Sequence, residues 1–503
     1  MLYRIPDLCK PARRTILKRL SYLLMFCLAF VAPLLHGESL KLPDMGDPSS
    51  TVLSPEEDRL LGQTFMRSVR RALNLVDDVE IHTYINTLGY KLLAHTDTTQ
   101  TRFSFFVVDQ PSINAFAGPG GYIGIHTGLI LEAQSEGELA AVMAHEIVHV
   151  TQRHLARAFQ KASTANFQTA AAILAAIILG SIDPQAAQAV IVAATAGNIQ
   201  QQLNFTRAHE READWLGIDI LARAGYSPDY MATFFKRLQE ASRYSNSAAI
   251  PELLRTHPVT ANRISDAQSR AARYPDIDDN PLPSFQYVQA KLRAAQYHSR
   301  PDYMAQLERK VEHTKEPWPL LNYEYALALL ANRHMEKAKQ VSDKLFKEAP
   351  ENINFIALQA TINEHRGDYD KAEKQLSDAL TLYPNHPALT VLYAKALMAT
   401  QRPELAAQQL RTLINEQGPF SLPMYYRLLA EAQKTANQTV DSHLSLAQYY
   451  DQTGQTRPAI QQLENALRLP NLNNSYDRQR IKAKLKQMKE KALQEETLEK
   501  GQH

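Results

Sequence analysis

The hydrophobic pattern divides the chain into stretches of different period. Residues 20–35 form an apolar run that follows six basic residues, Arg4, Lys10, Arg13, Arg14, Lys18 and Arg19. A basic start and a short apolar middle are the layout of a secretory signal, with cleavage expected after Gly37. Apolar positions then recur every three or four residues. Leu60, Leu61, Phe65, Val69 and Leu73 follow Ser54-Pro55-Glu56-Glu57, a helix start with a capping hydroxyl, a first-turn proline and acids. Val79, Ile81, Ile85, Leu88 and Leu92 mark a second amphipathic helix after Asp77. Residues 103–108 read as a strand, 114–121 as a turn-rich loop, and 122–126 as a further strand, expected at a sheet edge. Ser135 and Glu138 have the spacing of a capping box for an apolar helix expected to run to about Phe159.

Residues 162–200 are rich in alanine, with apolar halves at 169–179 and 186–196 that are each too short to span a bilayer. They read as a helical hairpin packed on the core; the alternative is a mobile lid or a surface for a membrane or an apolar partner. Pro275, Asp276, Asp278, Asp279, Pro281 and Pro283 then mark a linker. Beyond it the period changes. Ala326, Ala360 and Ala394 are 34 residues apart, and so are Ala338, Ala372 and Ala406. Small residues at that period are the signature of tetratricopeptide repeats, whose stacked helix pairs build a curved groove. Ala447 and Ala459 repeat the pair out of phase, after a helix around residues 424–434. About four repeats are expected, with a degenerate start at 287–312 and a charged final helix at 477–500 as cap.

The chemistry concentrates in one of these helices. His145-Glu146-Ile147-Val148-His149 places two imidazoles one turn apart on one helix face, half of a tetrahedral site for Zn²⁺. Leu139, Val142, Met143, Ile147 and Val150 make the same helix apolar, so a solvated surface helix is a poor reading; buried charge needs a partner or a metal. Glu146, beside the first histidine, can take a proton from an attacking water and pass it to a leaving amine. On the helix opened by Thr206-Arg207-Ala208-His209-Glu210, Glu210 and Asp214 share a face. Glu210 can be the third metal ligand and Asp214 a partner that fixes a histidine tautomer or passes protons. The other reading is a solvated charged face, for which His209, Arg211 and Glu212 are candidates. Arg207 and His209 are candidates for stabilising an oxyanion.

The strand at 122–126, the His145-Glu146-x-x-His149 helix and the Glu210-x-x-Ala213-Asp214 helix, in this order, resemble the zinc metallopeptidase family that includes the HtpX heat-shock protease and the CAAX prenyl endopeptidase. The resemblance covers residues 50–270. It implies a zincin-type α+β domain, one Zn²⁺ per chain on His145, His149 and Glu210, Glu146 as general base, and Asp214 as accessory proton donor. Thr256-His257-Pro258 is also similar to a stretch of that family, and His257 is a candidate regulatory fourth ligand that would shut the site.

The expected fold is therefore mainly α: a signal at 1–37, a metalloprotease domain at 38–275, a linker at 276–285 and an all-α repeat solenoid at 286–503. Removing residues 1–37 takes away six of 55 basic and one of 53 acidic residues, leaving 49 against 52. That balance excludes a nucleic-acid binder. Both cysteines, Cys9 and Cys27, lie in the signal, so no disulfide staples the mature chain. Those relatives have several membrane spans; this chain has none after its signal and resembles an exported branch. The order of signal, metalloprotease and repeats also resembles that exported branch along nearly the full length, and the resemblance implies a periplasmic enzyme with chaperone-like action. It would promote assembly of outer-membrane β-barrel proteins and degrade misassembled ones, meeting the β-barrel assembly machinery through its repeats. Peripheral membrane association stays open. The competing expectation is a mostly non-proteolytic adaptor or chaperone whose zinc site is normally closed.

Overall fold

The computed structural model describes residues 54–98, 102–161, 207–244, 251–279, 281–297, 300–314, 319–418, 421–470, 472 and 475–500. The expected signal at 1–37 and the alanine-rich stretch at 162–200 lie outside the described residues. The described part opens with α1 (Pro55–Ala72), capped by Ser54 and Glu57 in a reciprocal capping box, and α2 (Val79–Leu93), whose first turn bonds to the Asp78 carboxylate. A three-stranded sheet follows: β1 (Ser104–Val108), β2 (Ala115–Ala117) and β3 (Tyr122–His126). Next come α3 (Thr127–Glu132), α4 (Glu136–Thr151), α5 (His154–Lys161), α6 (Arg207–Arg223), α7 (Asp229–Tyr244), α8 (Glu252–Thr256) and α9 (Ala261–Ala271).

The strand order is β1-β3-β2, with β3 parallel to β1 and antiparallel to β2. The strand at 122–126 is thus central, and the expectation of an edge strand there is corrected. Alternation along a strand tells which face is buried, not which neighbours it has. The outer edge of β1 is closed: the Asn86 side chain bonds both the Phe105 N–H and its carbonyl, and the Val76 N–H bonds the Val107 carbonyl at 2.9 Å. β2 is the other edge, has no second strand partner among the described residues, and packs against α4.

α4 is buried on every side from Glu136 to His149. Its start is half the expected box. Ser135 Oγ accepts from the Glu138 N–H at 3.4 Å, but the Glu138 carboxylate turns to the Gln134 N–H and to Arg237. The helix also stops earlier than expected, at Thr151 rather than near Phe159, and α5 starts as a separate helix at His154. Arg153 between them has φ 51°, left-handed backbone that ends an α-helix.

The remaining described residues form consecutive packed helices. α10 (Ser284–Tyr297) and α11 (Pro301–His313) come first. Then follow α12 (Pro319–Ala331) with α13 (Met335–Glu348), α14 (Ile353–Arg366) with α15 (Tyr369–Leu382), and α16 (Pro387–Ala399) with α17 (Pro403–Gln417). α18 (Pro423–Thr435) precedes α19 (Thr439–Gln452) and α20 (Thr456–Arg468), and α21 (Ser475–Lys500) closes the stack. The periodic alanines, Ala326, Ala338, Ala360, Ala372, Ala394, Ala406, Ala447 and Ala459, are all buried at helix contacts. The period extends to the turns. Arg333, Gly367 and Gln401, again 34 apart, all have positive φ. The next N–H of each turn bonds five residues back: His334 to Leu329, Asp368 to Asn363, and Arg402 to Leu397.

Gln401 and Arg333 hold the left-handed conformation that Gly367 adopts without a Cβ penalty. Gln401→Gly should therefore raise stability by up to about 1 kcal/mol in urea unfolding; a loss of stability would show that the Gln401 side chain carries a contact worth more than the turn strain.

Candidate metal centre

The site forms where α6 crosses α4. Gly217 lies on the crossing: a Cβ there would stand 3.4 Å from the His145 backbone nitrogen, so α6 comes against the α4 backbone itself. Ala144 and Ala213, both fully buried, keep the remaining contact thin. Close approach brings the Glu210 and Asp214 face of α6 over the His145 and His149 face of α4. His257, the residue that caps the C-terminus of α8, enters the same space. All of His145, Glu146, His149, Glu210, Asp214 and His257 are buried.

The ligand atoms converge. His145 Nε2 and His149 Nε2 are 2.9 Å apart, and each is 3.6 Å from a Glu210 carboxylate oxygen. His257 Nδ1 lies 3.4 Å from His145 Nε2 and 2.9 Å from Glu210 Oε1. A tetrahedron of bonds about 2.0–2.1 Å long has edges of about 3.3–3.4 Å. The four side chains, within 4.8 Å of one another and all buried, thus fit one small divalent cation. Three imidazoles with one carboxylate is a donor set suited to zinc. Glu146 strengthens the fit: it is fully buried, neither of its oxygens hydrogen-bonds to a described residue, and His257 Nε2 lies 3.6 Å from Oε1.

Charge behind the ligands is arranged in pairs. Asp214 Oδ1 lies 3.0 Å from His145 Nδ1. Arg263 of α9 grips Asp214 with two nitrogens, at 2.8 and 2.7 Å, and its Nη1 reaches Glu210 Oε2 at 2.9 Å. As protein atoms alone, burial works against the His145 cation, but Asp214 and Glu210 outweigh it and lift the ring to about 9. Burial, with His145 and His257 beside it, pushes His149 well below its ordinary value. Burial opposes the Glu210 anion as well, yet His257 and His145 hold its carboxyl well below the usual range.

The structure brings together every residue the sequence singled out for the metal, His257 included. Asp214 faces His145 and Arg263. Arg207 is exposed at the start of α6, while His209 is buried and stacks at 4.4 Å on His154. Glu212 is partly exposed but paired: its Oε2 bonds His154 Nε2 at 3.1 Å and Arg157 Nη1 at 3.1 Å. Arg263 was missed because its carboxylate partners lie 49 residues or more away in sequence. His154 was missed because it was placed on the far end of a longer metal helix.

Peptidase family M48 matches residues 80–271 and the Tetratricopeptide repeat family matches residues 365–432. A homologue from Vibrio cholerae is 37% identical, over 66% of this chain and 69% of its own. The beta-barrel assembly-enhancing protease of Escherichia coli (strain K12) is 31% identical over 87% of this chain and 89% of that protein. The chain belongs to the beta-barrel assembly-enhancing protease family. This chain joins an M48 peptidase to tetratricopeptide repeats and is a metalloendopeptidase. Mitochondrial metalloendopeptidase OMA1 of Arabidopsis thaliana is 31% identical over 34% of this chain and 32% of its own, a likeness confined to one part of each.

Arg263→Met leaves Glu210 and Asp214 buried without their shared cation. Urea unfolding of the metal-free protein should lose about 3–5 kcal/mol; an unchanged midpoint would mean that the carboxylates are compensated elsewhere.

Proposed function

We propose that this enzyme is a periplasmic zinc endopeptidase that both assists and removes outer-membrane β-barrel proteins. The observation that carries the catalytic reading is the buried convergence of His145, His149 and Glu210 beside the carboxylate of Glu146, which makes no hydrogen bond to a described residue. Zinc at that point would supply Lewis acidity toward a peptide carbonyl and a more acidic water. Glu146, with no competing hydrogen bond among the described residues, accepts the proton of the attacking water and delivers it to the leaving amine. Asp214 sits behind His145 and is tied to Arg263, which supports a part in holding that ring rather than in donating a proton to substrate. β2, a short edge with no second strand partner among the described residues and packed on α4, can pair with an extended client by main-chain bonds, which reads shape more than sequence.

The address rests on the basic and apolar pattern of residues 1–37; no described helix is long and apolar enough to cross a membrane. The client class rests on the family, whose Escherichia coli relative is named for enhancing β-barrel assembly. The repeats offer the surface that would hold the β-barrel assembly machinery or a client. The domain limits, near 38–275 and 286–503, rest on the proline- and aspartate-rich stretch between Pro275 and Pro283 and on the change of period beyond it.

One observation favours the second reading, an adaptor with a shut site. His257 presents Nδ1 to the ligand cluster and Nε2 to Glu146, and so stands where a fourth ligand would complete a closed site. The arrangement supports His257 as a fourth, regulatory ligand that leaves on activation.

Casein digestion and zinc content decide between these. Glu146→Gln should keep one zinc per chain and lose activity by about 10²–10⁴-fold, while His257→Ala should digest faster than the parent. Cleavage retained by Glu146→Gln would refute the catalytic reading. Complementation of a deletion strain by Glu146→Gln would favour the adaptor.

A further inference from the structure

Arg153, left-handed between α4 and α5, reverses the chain so that His154 comes back against the metal helix. His154 is fully buried, and its Nδ1 lies 2.9 Å from Nδ1 of His149. Its other nitrogen, Nε2, lies 3.1 Å from Glu212 Oε2 on α6, which also holds Arg157 Nη1 at 3.1 Å. His209 covers the ring of His154 in a stack tilted by only 8°.

Two imidazole nitrogens at 2.9 Å bond only when one carries hydrogen and the other a lone pair. A neutral His149 that turns Nε2 to an ion must carry its hydrogen on Nδ1. It then donates to His154 Nδ1, which places the His154 hydrogen on Nε2, where it donates to Glu212. One assignment therefore satisfies every donor and acceptor from Glu212 to His149. The other ligand is served more directly, with Asp214 Oδ1 3.0 Å from His145 Nδ1. α6 thus supplies Glu210 at the cluster, Asp214 behind one histidine and Glu212 behind the other.

We propose that His154 and Glu212 are positioning residues that fix the tautomer and aim of His149 toward the metal, a carboxylate–imidazole relay entering from α5. The relay rests on the ligand set given under the proposed function. It differs from the role of a packed core histidine in one respect. A packing role is felt by the protein without metal, whereas a relay is felt in metal affinity, and an acceptor placed where Nδ1 stood restores it.

The test is a zinc competition titration of the full chain against a chelating dye, with thermal melting of the zinc-free proteins alongside. The parent, His154→Phe, His154→Asn and Glu212→Ala are compared. His154→Phe should bind zinc about 10–100-fold more weakly, with a zinc-free melting temperature close to that of the parent. His154→Asn, whose Oδ1 takes the place of Nδ1, should recover most of the loss. Glu212→Ala, at the half-exposed end, should weaken binding by about tenfold, and it answers the question if His154→Phe does not fold. Zinc affinity equal to the parent's in Glu212→Ala and in any folded His154→Phe would overturn the relay. So would His154→Asn binding no better than His154→Phe. A parent chain that takes up no zinc at all would instead overturn the ligand set on which the relay stands.

Discussion

The structure depends on one costly arrangement: three carboxylates, Glu146, Glu210 and Asp214, buried where two helices cross at backbone contact. Carboxylates leave water only when something positive meets them. Arg263 meets Glu210 and Asp214, the histidines of α4 share in it, and Glu146 faces the cluster without a hydrogen bond to any described residue. That remaining imbalance is what a divalent cation and a water molecule would relieve. The close crossing at Gly217 is the condition for all of it, since a thicker contact would draw Glu210 away from the imidazoles.

The helical stack is fastened to the same framework. Lys291 on α10 reaches Asp78 at 2.9 Å and Glu80 at 2.7 Å, the two acids at the start of α2. α16 packs on α2 as well. Arg70 and Arg71 of α1 donate to the carbonyls of Gln452 and Gly454, at the end of α19, where helix carbonyls lack partners. The repeats and the peptidase helices are therefore in direct contact through charged and hydrogen-bonded residues.

Much of this could be read from the residues. His145, His149, Glu210 and Asp214 announce themselves because ligands four apart on a helix must share a face. The repeats announce themselves because Ala326, Ala360 and Ala394 keep a period no single helix has. What could not be read depends on contacts distant in sequence. β3 looked like an edge because its own alternation says nothing of β1 pairing beside it. The end of α4 was missed because Arg153 adopts the backbone usually marked by glycine. Glu212 looked solvated because its partner, His154, lies 58 residues earlier. His257 was suspected only through the family resemblance, and the fold supplies the physical reason: α8 ends inside the site.

The central claim is that α4 and α6 meet at a single divalent ion. Anomalous diffraction at the zinc absorption edge, from crystals of zinc-loaded protein, tests it most directly. The account predicts one peak per chain, about 2.0–2.2 Å from His145 Nε2, His149 Nε2 and a Glu210 oxygen. A peak elsewhere, or none at full zinc loading, would contradict it.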